Sequence, residues 1–220
     1  MKRPRVLLAD DHQMLADALE SVLKPRFEVV GKVSDGRTLL EAAARLQPDV
    51  VVLDIAMPRL NGLDAGRQIN KAFPKVKLIF MTMHNDPYLV GEAFRAGASA
   101  FLLKEGAASE LTEAIDQALK GGTYITPSSA EGLATISLRN PKNRENVPEP
   151  TPRQREVIQL LAEGRSMKEV ASELKITTRT VAEHKYAVMD LLQLKTNADL
   201  VQYAIERGII PLHKTSSPYR

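Results

Sequence analysis

The segment Val50-Val51-Val52-Leu53-Asp54 decides the fold of the N-terminal half, because four apolar residues in a row end on an aspartate. Four more short apolar runs surround it: Val6-Leu7-Leu8-Ala9, Val29-Val30, Leu78-Ile79-Phe80 and Ala100-Phe101-Leu102-Leu103. Runs that are apolar at every position, separated by amphipathic segments of about 10–15 residues, are typical of parallel strands covered by helices on both faces. We therefore predict a doubly wound α/β domain with a parallel five-stranded sheet in the order 2-1-3-4-5.

Length and composition indicate two globular domains. The chain has 220 residues, of which 44% are hydrophobic and 26% charged, and a typical domain has roughly 100–150 residues. No apolar run approaches the roughly 18 residues that span a bilayer, and the basic N-terminus lacks a signal-peptide core, so we expect a cytoplasmic protein with no membrane partner. The absence of cysteine excludes disulfides, cysteine nucleophiles and thiolate metal sites.

The excess of positive charge lies in the C-terminal segment. Residues 1–125 hold 16 Lys/Arg and 16 Asp/Glu, residues 126–150 hold three of each, and residues 151–220 hold 11 Lys/Arg and 8 Asp/Glu. This asymmetry is consistent with an anionic partner for the last segment, although a solvated surface explains so small an excess equally well.

The helical periodicity lapses after Gly122, and the following stretch is rich in proline. We predict a first domain over residues 1–124, a linker over 125–148 and a helical domain over 149–213. Within the linker, the apolar residues Leu133, Ile136 and Leu138 are compatible with a short helix that docks on a neighbour.

Capping motifs predict four short helices in the last segment. Thr151-Pro152-Arg153-Gln154 and Ser166-Met167-Lys168-Glu169 are capping boxes, and two further helices are predicted to begin near Thr178 and after Thr196. A helix from Ser166, a sharp turn and a helix from Thr178 have the spacing of a helix-turn-helix, whose second helix can enter the major groove of DNA.

Polar residues follow the apolar runs at the sheet edge where ligands bind in such folds: Asp10, Asp11, Asp54, Thr82 and Lys104. Three converging carboxylates repel one another and need a cation, and an all-oxygen site suits Mg²⁺. Lys104 adds a positive charge, and Thr82 adds a hydroxyl. Any one of these residues alone is explained as a loop residue that caps a helix, but their combination at successive strand ends indicates a site.

With these motifs, residues 4–122 resemble the receiver domain of bacterial two-component response regulators, a flavodoxin-like fold. The resemblance rests on Leu8-Ala9-Asp10-Asp11-His12, Asp54-Ile55-Ala56-Met57-Pro58 with Gly62, Thr82, and Ala100-Phe101-Leu102-Leu103-Lys104. It implies that Asp54 accepts a phosphoryl group from the phosphohistidine of a sensor histidine kinase.

The same resemblance assigns roles around Asp54. Mg²⁺ would be held by Asp11, Asp54 and the Ala56 carbonyl, with Asp10 acting through water. Lys104 would pair with a phosphoryl oxygen, and the switch residues Thr82 and Phe101 would move together. Family members commonly have a cis peptide bond after this lysine, so we also predict a cis bond between Lys104 and Glu105.

Residues 151–210 resemble the LuxR-type DNA-binding domain of the NarL/FixJ family. The resemblance rests on Thr151-Pro152-Arg153-Gln154-Arg155-Glu156-Val157, Ala162-Glu163-Gly164, Lys168-Glu169-Val170-Ala171 and Thr180-Val181-x-x-His184. It implies double-stranded DNA as a partner, and a homodimer after phosphorylation that forms through Ala198, Val201 and Ile205.

The predicted DNA-contacting residues are Lys175, Thr178, Arg179, Thr180, Ala182, Glu183, Lys185 and Tyr186. Their helix would turn an apolar stripe inward, consisting of Val181, Val188, Leu191 and Leu192. The family often has several lysines or arginines on this helix, whereas this chain has Ala182, Glu183 and Asp190, so we expect a single domain to bind DNA weakly.

The sequence thus predicts a response regulator that accepts a phosphoryl group on Asp54 and regulates transcription by sequence-specific DNA binding. It is not predicted to be an enzyme, since nothing resembles a general base beside Asp54. A nucleotide-binding protein is excluded because Arg26 and Val33 stand where a phosphate-binding loop needs glycine and Ser/Thr. The remaining alternative is a phosphorylation-controlled regulator that binds proteins through a degenerate helix-turn-helix.

Overall fold

The strand that carries the opening motif, β3 (Val50–Asp54), lies inside a parallel sheet and is buried along its whole length. The structure is a computed structural model that describes residues 2–131 and 149–210. The chain divides into two units, Met1–Glu149 and Pro150–Arg220. Most of the predicted linker, with the possible helix around Leu133, Ile136 and Leu138, and residues 211–213 lie outside the described residues. Within the described ranges, no helix is long and apolar enough to cross a membrane.

The first unit alternates strands and helices, as predicted. Its elements are β1 (Arg5–Ala9), α1 (Gln13–Leu23), β2 (Glu28–Val33), α2 (Gly36–Leu46), β3, α3 (Gly62–Ala72), β4 (Lys77–Thr82), α4 (Pro87–Arg95), β5 (Ala98–Leu103), α5 (Ala107–Leu119) and β6 (Tyr124–Ile125). The sheet order is β2-β1-β3-β4-β5-β6, and every pairing is parallel. The predicted order 2-1-3-4-5 is confirmed, and β6 adds a sixth strand at the edge.

Alternation along β1 distributes its side chains between the two faces of the sheet. Leu7 and Ala9 lie in the core cluster that α2, α3 and α4 cover, whereas Val6 and Leu8 lie in the cluster that α1 and α5 cover. Fully burying one such large side chain contributes about 1.5–3 kcal/mol. Because both faces are buried in this way, the central strands β1 and β3 are apolar along the buried part of their length, and polar groups of these strands lie at their ends.

Gly62 holds the loop after β3 against the strand. A Cβ at this position would lie 1.9 Å from the Asp54 carbonyl oxygen, so only glycine fits. The Gly62 amide donates a hydrogen bond to the Ile55 carbonyl oxygen at 2.7 Å. The start of α3 is therefore packed directly on the backbone of Asp54 and fixes its position.

The second unit consists of four helices, as predicted: α6 (Pro152–Ala162), α7 (Met167–Leu174), α8 (Thr178–Leu191) and α9 (Asn197–Glu206). Both predicted capping boxes are present, and a third joins Thr196 to Asp199 at the start of α9. Lys175 ends α7 in the left-handed conformation, with φ of 53°. This residue makes the sharp turn between α7 and α8.

Candidate functional site

Five predicted polar residues meet at the carboxyl edge of the sheet. Asp10 and Asp11 follow β1, Asp54 ends β3, Thr82 ends β4 and Lys104 follows β5. Lys104 Nζ lies 2.8 Å from Asp10 Oδ2 and 2.8 Å from Asp54 Oδ2. Asp10, Asp54 and Lys104 are each at least 94% buried. Their charges therefore interact with little screening by solvent.

Burial and the neighbouring charges have opposite effects on the pKa values of Asp54 and Lys104. Burial raises the pKa of the Asp54 carboxyl above its ordinary value of 3.8, and the nearby Lys104 charge only partly opposes that shift. Burial alone would lower the pKa of the Lys104 ammonium, but the Asp54 and Asp10 carboxylates together raise it above its ordinary value. Lys104 therefore stays charged, whereas the ionised Asp54 is held in an unfavourable environment.

The carboxylates form a cluster that can hold a metal ion. One ligand atom from each of Asp10, Asp11, His12 and Asp54 lies within 4.8 Å of the others. Asp11 Oδ1 is shielded from solvent and lies 2.8 Å from His12 Nδ1, without the geometry of a hydrogen bond. His12 was not among the predicted site residues. Its only sequence signal is its position directly after the two aspartates.

Thr82 ends β4 at the edge that holds this cluster, and Phe101 lies within the neighbouring strand β5. The Thr82 hydroxyl oxygen accepts a hydrogen bond from the His84 amide at 3.1 Å, and Phe101 is fully buried in the cluster under α2, α3 and α4. The predicted cis bond between Lys104 and Glu105 is wrong, since the described chain has no cis peptide bond. A trans bond avoids a cost of about 3–4 kcal/mol for a residue other than proline.

All but one of the residues predicted to contact DNA lie on the surface of the second unit. Lys175, Thr178, Arg179, Thr180, Ala182, Glu183 and Tyr186 are exposed or half-buried. Lys185 is only 8% exposed and lies in the buried stripe of α8 with Val181 and Val188. The prediction that Lys185 faces DNA is therefore wrong. Lys185 follows Val181 by four residues and precedes Val188 by three, and this spacing puts all three side chains on one face of the helix.

A second correction concerns the apolar stripe of α8. Leu191 is 38% exposed, although it was predicted to face inward. It is the last residue of the helix, and Leu192, one residue further, packs against the core instead.

Comparison with known proteins decides the family. Residues 6–116 match the family described as "Response regulator receiver domain", and residues 151–204 match "Bacterial regulatory proteins, luxR family". The chain is a two-component response regulator. It belongs to the family that joins a receiver to a LuxR-type DNA-binding domain, a family of transcription regulators rather than enzymes.

The similarity to known proteins extends over nearly the whole length of the regulator. It is 32% identical to the transcriptional regulatory protein MctR of Rhizobium johnstonii, over 94% of this chain and 95% of that protein. It is 33% identical to the transcriptional regulatory protein LiaR of Bacillus subtilis, over 94% and 99%. It also resembles RcsB of Salmonella enterica serovar Typhimurium, bound to a promoter with the phosphomimetic BeF₃⁻, at a TM-score of 0.59, 26% identity and coverage of 92% and 98%.

The regulator also has a polar contact that sequence reasoning missed, between the β4–α4 loop and the helical residues 127–131. Asn85 Oδ1 accepts a hydrogen bond from the buried Ser129 hydroxyl at 2.9 Å. Thr126 donates to Glu110 at 2.9 Å. The described start of the predicted linker is thus bonded to the receiver.

The predicted dimer residues lie on α9 and differ in burial. Ala198 is exposed, whereas Val201 and Ile205 are half-buried and pack against the core cluster of the second unit. The latter two side chains therefore contribute to the domain's own core and leave only part of their surface for a second copy.

Proposed function

We propose that Asp54 accepts a phosphoryl group from the phosphohistidine of a sensor histidine kinase. The observation that carries this proposal is the Lys104 ammonium, 2.8 Å from Asp54 Oδ2 in a buried site. Phosphoryl transfer spreads negative charge over the transferred oxygens, so the protein has mainly to position groups and neutralise charge. Lys104 is placed to do this beside the nucleophile.

The step is a simple displacement. A carboxylate oxygen of Asp54 attacks phosphorus while the bond from phosphorus to the kinase histidine breaks, so that Asp54 becomes an acyl phosphate and imidazole leaves. Lys104 then pairs with a phosphoryl oxygen. The Thr82 hydroxyl releases the His84 amide and donates to another phosphoryl oxygen, and Phe101 fills the space that Thr82 leaves.

The donor set fits Mg²⁺, which prefers carboxylate, carbonyl and water oxygens. We place the ion on Asp11, Asp54 and the Ala56 carbonyl, with Asp10 acting through water. Asp11 Oδ1 is shielded from solvent and lies 2.8 Å from His12 Nδ1, and a bound cation would be a further partner for this carboxylate oxygen. When bound, Mg²⁺ supplies a second positive charge against the phosphoryl oxygens.

Phosphorylation is tested by incubating the full chain with radiolabelled acetyl phosphate and Mg²⁺. We expect stable labelling of the wild-type chain and none for Asp54→Asn, while the control Asp49→Asn, a change at the opposite end of β3, keeps the label. Equal labelling of Asp54→Asn and wild type would exclude Asp54 as the acceptor.

For the output, we infer that the turn residue Lys175 and the α8 residues Thr178, Arg179, Thr180, Ala182, Glu183 and Tyr186 contact double-stranded DNA. A chain that binds DNA acts in the cytoplasm of a bacterium. The RcsB complex with a promoter supports DNA as the partner. Arg179 is paired with Glu183 at 3.1 Å on the surface of α8, so it would have to exchange this weak contact for a DNA phosphate, which reduces its net contribution to affinity. We therefore expect two copies, joined through α9 after phosphorylation, to bind together.

The salt dependence of DNA binding tests this assignment. Each lysine or arginine that contacts a phosphate adds about one unit to the slope of log affinity against log salt. Arg179→Ala should lower the slope by about one, and Lys185→Met should leave it unchanged because Lys185 faces inward. If phosphorylated wild-type protein shows no salt-dependent DNA binding, the alternative of a protein-binding regulator is favoured.

A further inference from the structure

A cavity of about 240 Å³ lies within the second unit, between the end of α6, the starts of α7 and α9, and the middle of α8. Its apolar wall consists of Leu161, Met167, Leu200 and Val201. A cavity of about 150 Å³ lined by apolar side chains is large enough to bind benzene. This cavity therefore has room for an aromatic ring or a short alkyl chain that carries one further polar group.

Lys185 is the residue of this cavity that points to a ligand. It is only 8% exposed, and a lysine is almost never buried to this extent unless it is paired. Among the described residues, its ammonium group forms no hydrogen bond or ion pair, and its one electrostatic contact is with the ring of Tyr186, whose centroid lies 5.3 Å away. An aromatic ring does not satisfy the three N–H donors of an ammonium group as oxygen acceptors do. Lys185 therefore lacks an oxygen acceptor in the part of the chain that the structure describes.

The other polar residues of the cavity wall are compatible with an anion. Met167 and Asn197 are the first residues of α7 and α9, where backbone N–H groups have no acceptor within the helix. Arg165 also lines the cavity, but its guanidinium is already paired with Glu173 at 2.6 Å. None of the described residues that line the cavity is acidic. A negatively charged group would therefore meet the Lys185 ammonium and no carboxylate at this wall.

Two carboxylates at the same helix starts are already used as caps. Glu169 accepts hydrogen bonds from the Ser166 amide at 2.8 Å and from the Ser166 hydroxyl at 2.7 Å. Asp199 accepts hydrogen bonds from the amides of Lys195 and Thr196, at 2.9 Å each. Neither carboxylate lines the cavity. The charge of Lys185 is therefore left for a ligand.

We propose that this cavity binds a small organic anion, whose apolar body packs against Leu200 and Val201 and whose carboxylate accepts hydrogen bonds from Lys185. An apolar pocket with a few placed polar groups is typical of a small-molecule site. The proposal goes beyond phosphorylation and DNA binding and does not depend on either. Since Asn197 and Val201 belong to α9, the bound ligand lies beside the helix that is proposed to join two copies.

Benzoate and benzamide, which have nearly the same shape but differ in charge, are the probes. A nuclear magnetic resonance titration of the isotopically labelled full chain, at constant sodium concentration, measures the binding of each compound. We expect saturable binding of benzoate with a Kd of about 1 mM or tighter, with shifts at the amides of Met167, Asn197 and Leu200. Benzamide should bind about tenfold more weakly or worse, because a hydrogen bond to a charged group is stronger than a neutral one. Equal affinity for the two compounds, or no saturable binding of benzoate, overturns the proposal.

Lys185→Met tests the role of the ammonium group. Benzoate should bind this variant about tenfold more weakly than the wild type, whereas the affinity for benzamide should be unchanged within about twofold. The control Lys168→Met removes an exposed lysine of α7 that does not line the cavity, and it should change the affinity for benzoate by less than about twofold. Equal losses of benzoate affinity in the two variants overturn the proposal. The comparison of benzoate with benzamide on the wild type needs no variant, so it decides the proposal even where Lys185→Met fails to fold.

A DNA phosphate is the other anion that could pair with Lys185. If Lys185→Met lowers the slope of log DNA affinity against log salt by about one, the lysine contacts DNA and the proposal is overturned. An unchanged slope together with weaker benzoate binding supports the proposal. Labelling of Asp54 and the effect of Arg179→Ala on DNA binding are measured without benzoate, so failure of the proposed function is distinguishable from failure of this inference.

Discussion

Replacing Lys104 with methionine removes the only ammonium group that contacts Asp10 and Asp54 in the described structure. Each of the two 2.8 Å contacts corresponds to a gross attraction of about 6 kcal/mol at an effective dielectric constant of about 20. Most of that attraction is offset by the cost of removing the lysine from water. Breaking a buried ion pair by deleting one partner has a net cost of about 3–5 kcal/mol, and we expect Lys104→Met to lower the free energy of unfolding by this amount.

Urea denaturation of the full chain, followed by circular dichroism at pH 7 without divalent ions, measures the loss. Adding Mg²⁺ should stabilise Lys104→Met more than the wild type, because the ion then provides the missing positive charge. Lowering the pH should also reduce the difference, because protonation neutralises the unpaired carboxylates. The control Lys120→Met, at an exposed residue after α5, should change the free energy by less than about 0.5 kcal/mol. A loss below about 1 kcal/mol, or no added effect of Mg²⁺, would refute the electrostatic reasoning.

Other changes test the surroundings of the same site. Asp54→Asn should stabilise the chain at pH 7, because burial disfavours the ionised Asp54 carboxyl and Lys104 keeps Asp10 as its partner. Because burial raises the pKa of Asp54 above 3.8, the ionised carboxylate destabilises the wild-type fold fully at pH values above the raised pKa. This effect disappears as the pH falls below 3.8, so the urea midpoints of wild type and variant should converge in acid. Gly62→Ala should lower the thermal midpoint by at least about 4 °C, because its Cβ would meet the Asp54 carbonyl oxygen, whereas Gly91→Ala, with open space around it, should not lower the midpoint. Ser129→Ala, which deletes a buried hydroxyl donor to Asn85, should cost about 1–2 kcal/mol in the same denaturation assay; an unchanged midpoint would contradict that estimate.

The fold of the first unit was predictable because its signals are local. β1, β3, β4 and β5 are short apolar runs, and burial on both faces requires that pattern whichever helices cover them. The two residues of β6, Tyr124 and Ile125, carry no such signal. Their strand exists because they pair with Ala100 and Phe101 of β5, and such a tertiary contact is invisible in a two-residue pattern.

The site was predictable for the residues at strand ends and not for those placed by loops. Asp54, Thr82 and Lys104 follow apolar runs, so parallel topology alone brings them together. His12 and the pair Asn85 and Ser129 depend on the path of connecting segments, which residue spacing does not determine.

Lys185 was predicted on the wrong face of its helix, and its burial removes one predicted DNA contact. Lysine is almost never fully buried unless it is paired, so its charge favoured an outward position over the three- and four-residue spacing from Val181 and Val188. The structure follows the spacing: the stem is buried, and the side chain lines a cavity of about 240 Å³ together with Leu161 and Leu200. One cation fewer then faces DNA, and Arg179 is already paired with Glu183. Because linking two weak sites can strengthen binding by about 10²–10⁴-fold without any new contact, we expect the pairing of two copies to contribute more to DNA affinity than the contacts of one α8.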